Sequence, residues 1–357
     1  MEVLISHFII ILILGIVMRA NLRSSTGKIN AFIVLSFISL FVIHTFVDPM
    51  SVKDLPAYKA AFQECINLPL LKVKDGFWAS TMEIGFLWYL KVLSYVSDNF
   101  IIVLIVSSLI LLYCYYRTIL RYSPYTYVSI LLLLVTVFDQ SIFVLRQHLA
   151  MAFLTLSWDS IIKKDYRKFA IFIVIAFLFH RTSLVYVPLI FLYNIDNDRK
   201  YVITLLLSCV FLSLFYYGAL QFIVSYMGRD YSGYLFNSRY EGANYVNFFL
   251  MSGFLISMLI FMKSAVFKKG INRLLFTIIA IATIASFFGV GNSSTGRLFY
   301  YYTAIPFILV PNVMKYINNQ LIRVAYATCC IGLNVYISYF GSTAVNFEGM
   351  SFIFMPR

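Results

Sequence analysis

A chain of 357 residues that is 61% hydrophobic and only 12% charged lies outside the range of soluble domains, which carry about 45–50% apolar and about 25% charged residues. That composition excludes a soluble enzyme and reads as a polytopic membrane protein. The net charge of +13 does not point to nucleic acid, because the basic residues are scattered through short connectors instead of lining one soluble face.

The first apolar run, 3–18, follows Glu2 and precedes Arg19, Arg23 and Lys28. That order suits a first spanning helix with an exported amino terminus, not a secretory leader. Further apolar runs fall near 29–47, 99–116, 124–138, 146–162, 169–180, 182–195, 201–217, 245–262, 271–289, 298–314 and 322–340. Only helices satisfy their own backbone in lipid without closing a barrel, so the expected architecture is all-α, with about twelve transmembrane helical segments in one domain, 1–357. Several runs are shorter than the ~20 residues of a full span, so some helices are expected to be short or re-entrant.

Orientation follows from the positive-inside rule. With the amino terminus outside, most of the 28 Lys and Arg fall in short inner connectors. The run 169–195 decides the register. As one span it would turn Lys263, Lys268, Lys269 and Arg273 outward; as a hairpin it preserves the pattern. Hairpin arms of about 12–14 residues reach only ~18–21 Å into a ~30 Å hydrocarbon core, which sinks the apex His180-Arg181-Thr182-Ser183 below the outer surface.

Two long outer loops result, about 48–98 and 218–244, together with a tail from Gly341. The first contains EIGFLWYLKVLSYV, read as an interfacial or re-entrant helix. Of the five cysteines, Cys114, Cys209, Cys329 and Cys330 fall in expected helices and Cys65 in a loop, with no metal-ligand spacing. Neither a metal nor another cofactor is expected.

Ionisable residues inside apolar runs are costly and mark functional sites by default. Arg146-Gln147-His148 opens a helix, where a guanidinium and free N–H groups can hold a phosphate, although an interfacial anchor fits Arg146 equally well. His180-Arg181 pairs a cation with the side chain best suited to exchanging a proton near neutrality. Arg297 follows GVGNSSTG, a turn whose N–H groups could cradle an anion or merely join two helices. Asp54 and Glu83 are the candidate proton acceptors of the first loop. Tyr231, Tyr234, Arg239 and Tyr240 offer faces and hydroxyls suited to sugars, or to an interfacial belt.

The block SIFVLRQHLAMAFLTLSWDSIIKKDYRKFAIFIVIAFLFHRTSLVYVPLIFLY resembles the EpsG family of Wzy-type polysaccharide polymerases. The resemblance lies in Arg146-Gln147 and Ala150, a short basic turn at Lys163-Lys164, then Ala176 through His180 and Ser183. Asp54, Tyr58 and Phe62 followed by Glu83-x-Gly85-Phe86, and a late Arg297-Leu298, extend it over most of the chain. An arginine that often precedes the first-loop aspartate is missing, with only His44 upstream of Asp48, and the tail EGMSFIFMPR lacks a Pro-Tyr pair.

The resemblance implies a polymerase of undecaprenyl-diphosphate-linked oligosaccharides, working from a periplasm-facing pocket in a bacterial inner membrane. Arg146, Arg181 and Arg297 would bind the diphosphate, and His180 or Asp54 would accept the acceptor proton. Tyr58, Glu83 and Arg239 would contact substrate, with the bilayer and a chain-length regulator as further partners. A polysaccharide ligase would use the same chemistry. A lipid-linked sugar flippase or secondary transporter is the rival of another class, but neither an internal repeat nor a matched pair of broken helices is present.

Overall fold

Every long apolar run that the computed structural model describes is folded as helix; it describes residues 2–18, 30–194, 245–288, 300–340 and 350–353. Helices α1 (Glu2–Val17) and α2 (Ala31–Thr45) come first. Asn30 caps α2, its side chain accepting from the Ile33 N–H at 3.0 Å. Between α2 and the next long helix lie α3 (Leu55–Asn67) and α4 (Ile84–Ser94). Then come α5 (Ile101–Tyr122), α6 (Thr126–Leu133), a π-helical turn (Leu134–Phe138) and the helical turn α7 (Asp139–Ser141). The chain continues through α8 (Leu145–Leu156), α9 (Trp158–Ile162), α10 (Tyr166–Phe179) and α11 (Pro188–Asn194). The remaining helices are α12 (Val246–Phe261), α13 (Gly270–Phe288), α14 (Pro306–Met314) and α15 (Gln320–Phe340).

Among the described residues, α5 and α15 are long and apolar enough to cross a membrane. The 22 residues of α5 rise about 33 Å, against a hydrocarbon core of about 30 Å. Shorter apolar helices are α1, α2, α4, α12, α13 and the continuous rod Thr126–Ser141. These apolar helices are those of a membrane protein.

The chain divides into two compact units. The first comprises Met1–Ser160, Asp165–Leu184 and Pro306–Arg357. Its centre is α5, which packs on α2 and α8, while α8 also carries α10 and α6 carries α14. Pro124 ends α5 by removing an N–H, and Asn312 of α14 donates to the Tyr122 carbonyl at 3.0 Å. The second unit comprises Ile161–Lys164 and Val185–Ile305. Within it, α13 packs on α12 and α11, with the Arg273 guanidinium 5.1 Å from the Tyr193 ring centre.

Segment 48–98 departs from expectation at one residue. Cys65 lies in a helix, not a loop: Leu55, Tyr58, Ala61, Phe62 and Cys65 repeat at helical spacing and form the buried face of α3. The stretch 350–353 also closes on the beginning of this segment. Val47 and Phe352 form an antiparallel bridge, Asp48 N–H donates to Ser351 O at 2.9 Å, and Ile353 N–H donates to Phe46 O at 2.9 Å. The expected helix EIGFLWYLKVLSYV is present as α4. In the hairpin region, α10 stops at Phe179 and a 3-10 turn, Arg181–Tyr186, follows, so the helix breaks at the residues expected at the apex.

Candidate functional site

Three helix ends of the first unit bring charge together. Glu83 precedes α4 in an extended conformation and makes no side-chain cap to its own helix, which frees the carboxylate to reach outward. Its Oε2 pairs with Nη1 of Arg146, the second residue of α8. Its Oε1 faces His180 Nδ1 at 3.3 Å and the Arg181 backbone N–H at 3.5 Å.

His180 reaches this position because it leaves the helix. Its N–H still closes the last turn of α10 on Ala176 O at 2.8 Å, but its φ of −156° and ψ of 115° are extended and swing the imidazole off the helix axis. The approach of α4 to α10 depends on Gly85. A Cβ there would lie 2.4 Å from Leu178 Cβ and 2.7 Å from the Leu178 carbonyl oxygen, so any larger residue would push the two helices apart.

The cluster is sheltered without being sealed. Side-chain exposure is 10% for Glu83, 17% for Arg146 and 23% for His180. Burial alone would raise the Glu83 carboxyl, but the His180 hydrogen bond and the Arg146 charge outweigh it and hold the group down at about 2. A carboxylate only accepts hydrogen bonds, so Nδ1 of a neutral His180 must carry the proton and Nε2 presents its lone pair.

Tyr58 of α3 completes the arrangement. The Arg146 guanidinium carbon lies 5.4 Å from its ring centre, and its hydroxyl is in hydrogen-bonding reach of the same side chain. Arg146 keeps donor capacity, since its Nε is buried without a partner among the described residues. Asp54 stands at the start of α3, where its charge acts on Tyr58 one turn on.

Of the residues expected from sequence, the structure therefore gathers Tyr58, Glu83, Arg146, His180 and the Arg181 backbone. Arg239, Arg297 and the tyrosines 231, 234 and 240 lie outside the described residues. His148 is not part of the cluster: it is fully buried within the helix bundle. Sequence reasoning missed Gly85 as a contact residue, although Glu83-x-Gly85 stood in plain view.

The EpsG family profile matches residues 30–354, which covers every residue of this cluster. The chain belongs to the EpsG family. Its members are Wzy-type polysaccharide polymerases. No curated protein and no solved structure matches the chain. Within this EpsG-family protein the profile spans the whole stretch from Asn30 through the 350–353 closure, so the cluster and the helices that carry it belong to the family's shared region.

Proposed function

We propose that this EpsG-family protein polymerises undecaprenyl-diphosphate-linked oligosaccharide repeat units at the periplasmic face of a bacterial inner membrane, threading it with about twelve helical segments. The observation that carries the reading is the Glu83 carboxylate shared between Arg146 and His180. It holds a candidate base, His180, and a candidate anion-binding group, Arg146, side by side, both partly exposed.

In the proposed step, a hydroxyl oxygen of the acceptor sugar forms a bond to the anomeric carbon of the donor glycan. The bond from that carbon to the diphosphate oxygen breaks, and the lipid diphosphate leaves with the electron pair. The hydroxyl proton passes to Nε2 of His180. Glu83 fixes the tautomer and stabilises the imidazolium that forms, a positioning role instead of the direct substrate contact expected from sequence. Arg146, Arg181 and Arg297 bind the diphosphate and offset the charge that develops on it, since guanidinium geometry matches phosphate oxygens. Diphosphate is already a good leaving group, so no acid is assigned to it. Asp54 tunes Tyr58, and Arg239 contacts sugars.

The test is Arg181→Ala in a strain deleted for the native gene, read as surface-glycan length on a gel. The expected result is membrane-inserted protein with single repeat units and no long chains. Normal chain ladders would remove Arg181 from the site. Full ladders that accumulate unattached to their final acceptor in the deletion strain would identify a ligase.

A further inference from the structure

Between α3 and α4 the chain builds a stiff shelf. Two 3-10 turns, Leu70–Asp75 and Ala79–Thr81, rest on Val73 and Ala79, both fully buried. Glu64 of α3 pins the second turn, its carboxylate accepting from the Trp78 N–H at 3.1 Å and the Ala79 N–H at 2.9 Å. Gly76 permits the approach, because a Cβ there would meet Glu64 Oε2 at 2.4 Å.

On top of this support stand large apolar side chains that touch little. Leu71 is 90% exposed, Phe77 78% and Trp78 44%, and Leu70 projects beside them. Covering such a side chain is worth about 1.5–3 kcal/mol, so a framework that holds several of them out implies something to cover them. Lys72 and Lys74 outnumber Asp75 on the same shelf. Trp88 and Val92 of α4, and Tyr95 just after it, are exposed as well. Aromatic and aliphatic tips edged by lysines match the boundary between acyl chains and anionic headgroups.

We propose that the shelf is a membrane-inserting element. Leu70, Leu71, Phe77 and Trp78 dip into the leaflet on the side of the Glu83 cluster, and Lys72 meets lipid phosphates. Glu83 follows Thr81 by two residues, so the shelf sets the height of the cluster at the headgroup level, where a lipid-borne diphosphate lies. Only this last consequence rests on the proposed function.

The test uses the full chain with Trp88→Phe and Trp158→Phe, which leaves Trp78 alone of the three tryptophans. The protein is placed in nanodiscs of phosphatidylcholine and phosphatidylglycerol. Brominated acyl chains should quench most Trp78 emission, and aqueous acrylamide should quench little; adding Leu71→Glu and Phe77→Glu should reverse that order. If loss of the buried Trp158 impairs folding, the difference between the native protein and Trp78→Phe gives the same reading. Ready quenching by acrylamide with none by bromine would overturn the proposal, as would protection from both, which means a protein covers the shelf. The inactive Arg181→Ala variant should be quenched by lipid like the native chain. Depth and polymerisation therefore fail independently.

Discussion

Two groups of histidines and carboxylates occupy the first unit, and they are built on opposite principles. In the cluster at Glu83, the carboxylate faces the Arg146 guanidinium and the His180 imidazole, and these three side chains keep some exposure. In the helix bundle, His44, Asp139 and His148 are at most 1% exposed, and hydroxyl groups face His44 and Asp139. His44 Nδ1 lies 2.7 Å from Ser108 Oγ, and Ser338 donates to Asp139 at 3.5 Å. The π-helical turn Leu134–Phe138 delivers Asp139 into this seam. The contrast teaches that an ionisable residue in an apolar run is a site only when an anion or proton can reach it. Arg146 and His148 show the rule on a single helix: two residues separate them by ~200°, one toward Glu83 and the other into the bundle.

The sharpest break of the contrast is Glu83→Gln. It removes the charge and keeps the shape, and kcat should fall by ~10²-fold or more, as expected when the partner of a catalytic base is lost. If Glu83 positions His180, KM for the donor should move little and Glu83→Asp should restore part of the rate. A loss confined to KM would return Glu83 to direct substrate contact. Gly85→Ala comes next. The added methyl must displace backbone at Leu178, and overpacking of this kind costs about 1–3 kcal/mol. A shift of ~1 Å between Glu83 and His180 would lower activity by up to ~10²-fold. Thermal unfolding and glycan length, measured on the same preparation, separate the two effects.

Acid should distinguish the two regions as well. The Glu83 carboxyl is depressed from 4.5 to about 2, so the stability it lends is complete above its unfolded value and is lost as the pH falls toward the folded one. The amount is on the order of 3 kcal/mol. Thermal unfolding of native and Glu83→Gln protein should therefore converge as the pH drops through that window. Curves that stay parallel would mean the carboxylate is not held by its partners.

Much of this was legible in the chain. Apolar runs declare helices because a helix satisfies its backbone locally, so α1, α2, α5, α12, α13 and α15 could be read from length and hydrophobicity alone. The helix α3 was not, although its Asp54-Leu55-Pro56 start and its buried positions from Leu55 to Cys65 carry the pattern. A search for long apolar runs passes over a short amphipathic helix. At the site, Arg146 and His180 stood out singly because charge in oil is conspicuous. That Glu83 would bridge them was hidden, since it depends on how closely α4 meets α10, and one glycine sets that distance. The pairing of residues 46–51 with 350–353 was equally hidden, because nothing local records a contact across 300 residues.

The smallest effect is expected in the sealed seam. Asp139→Asn keeps the volume of the side chain and an oxygen to accept from Ser338. No cationic side chain pairs with Asp139 among the described residues. Stability should move by about 1 kcal/mol, the scale of one altered buried hydrogen bond, and glycan length should not change. Detergent-solubilised thermal unfolding and a glycan gel together decide the matter. If Asp139→Asn abolished long chains while unfolding stayed put, protons would have to reach the seam, and the division between an addressable cluster and an architectural one would fall.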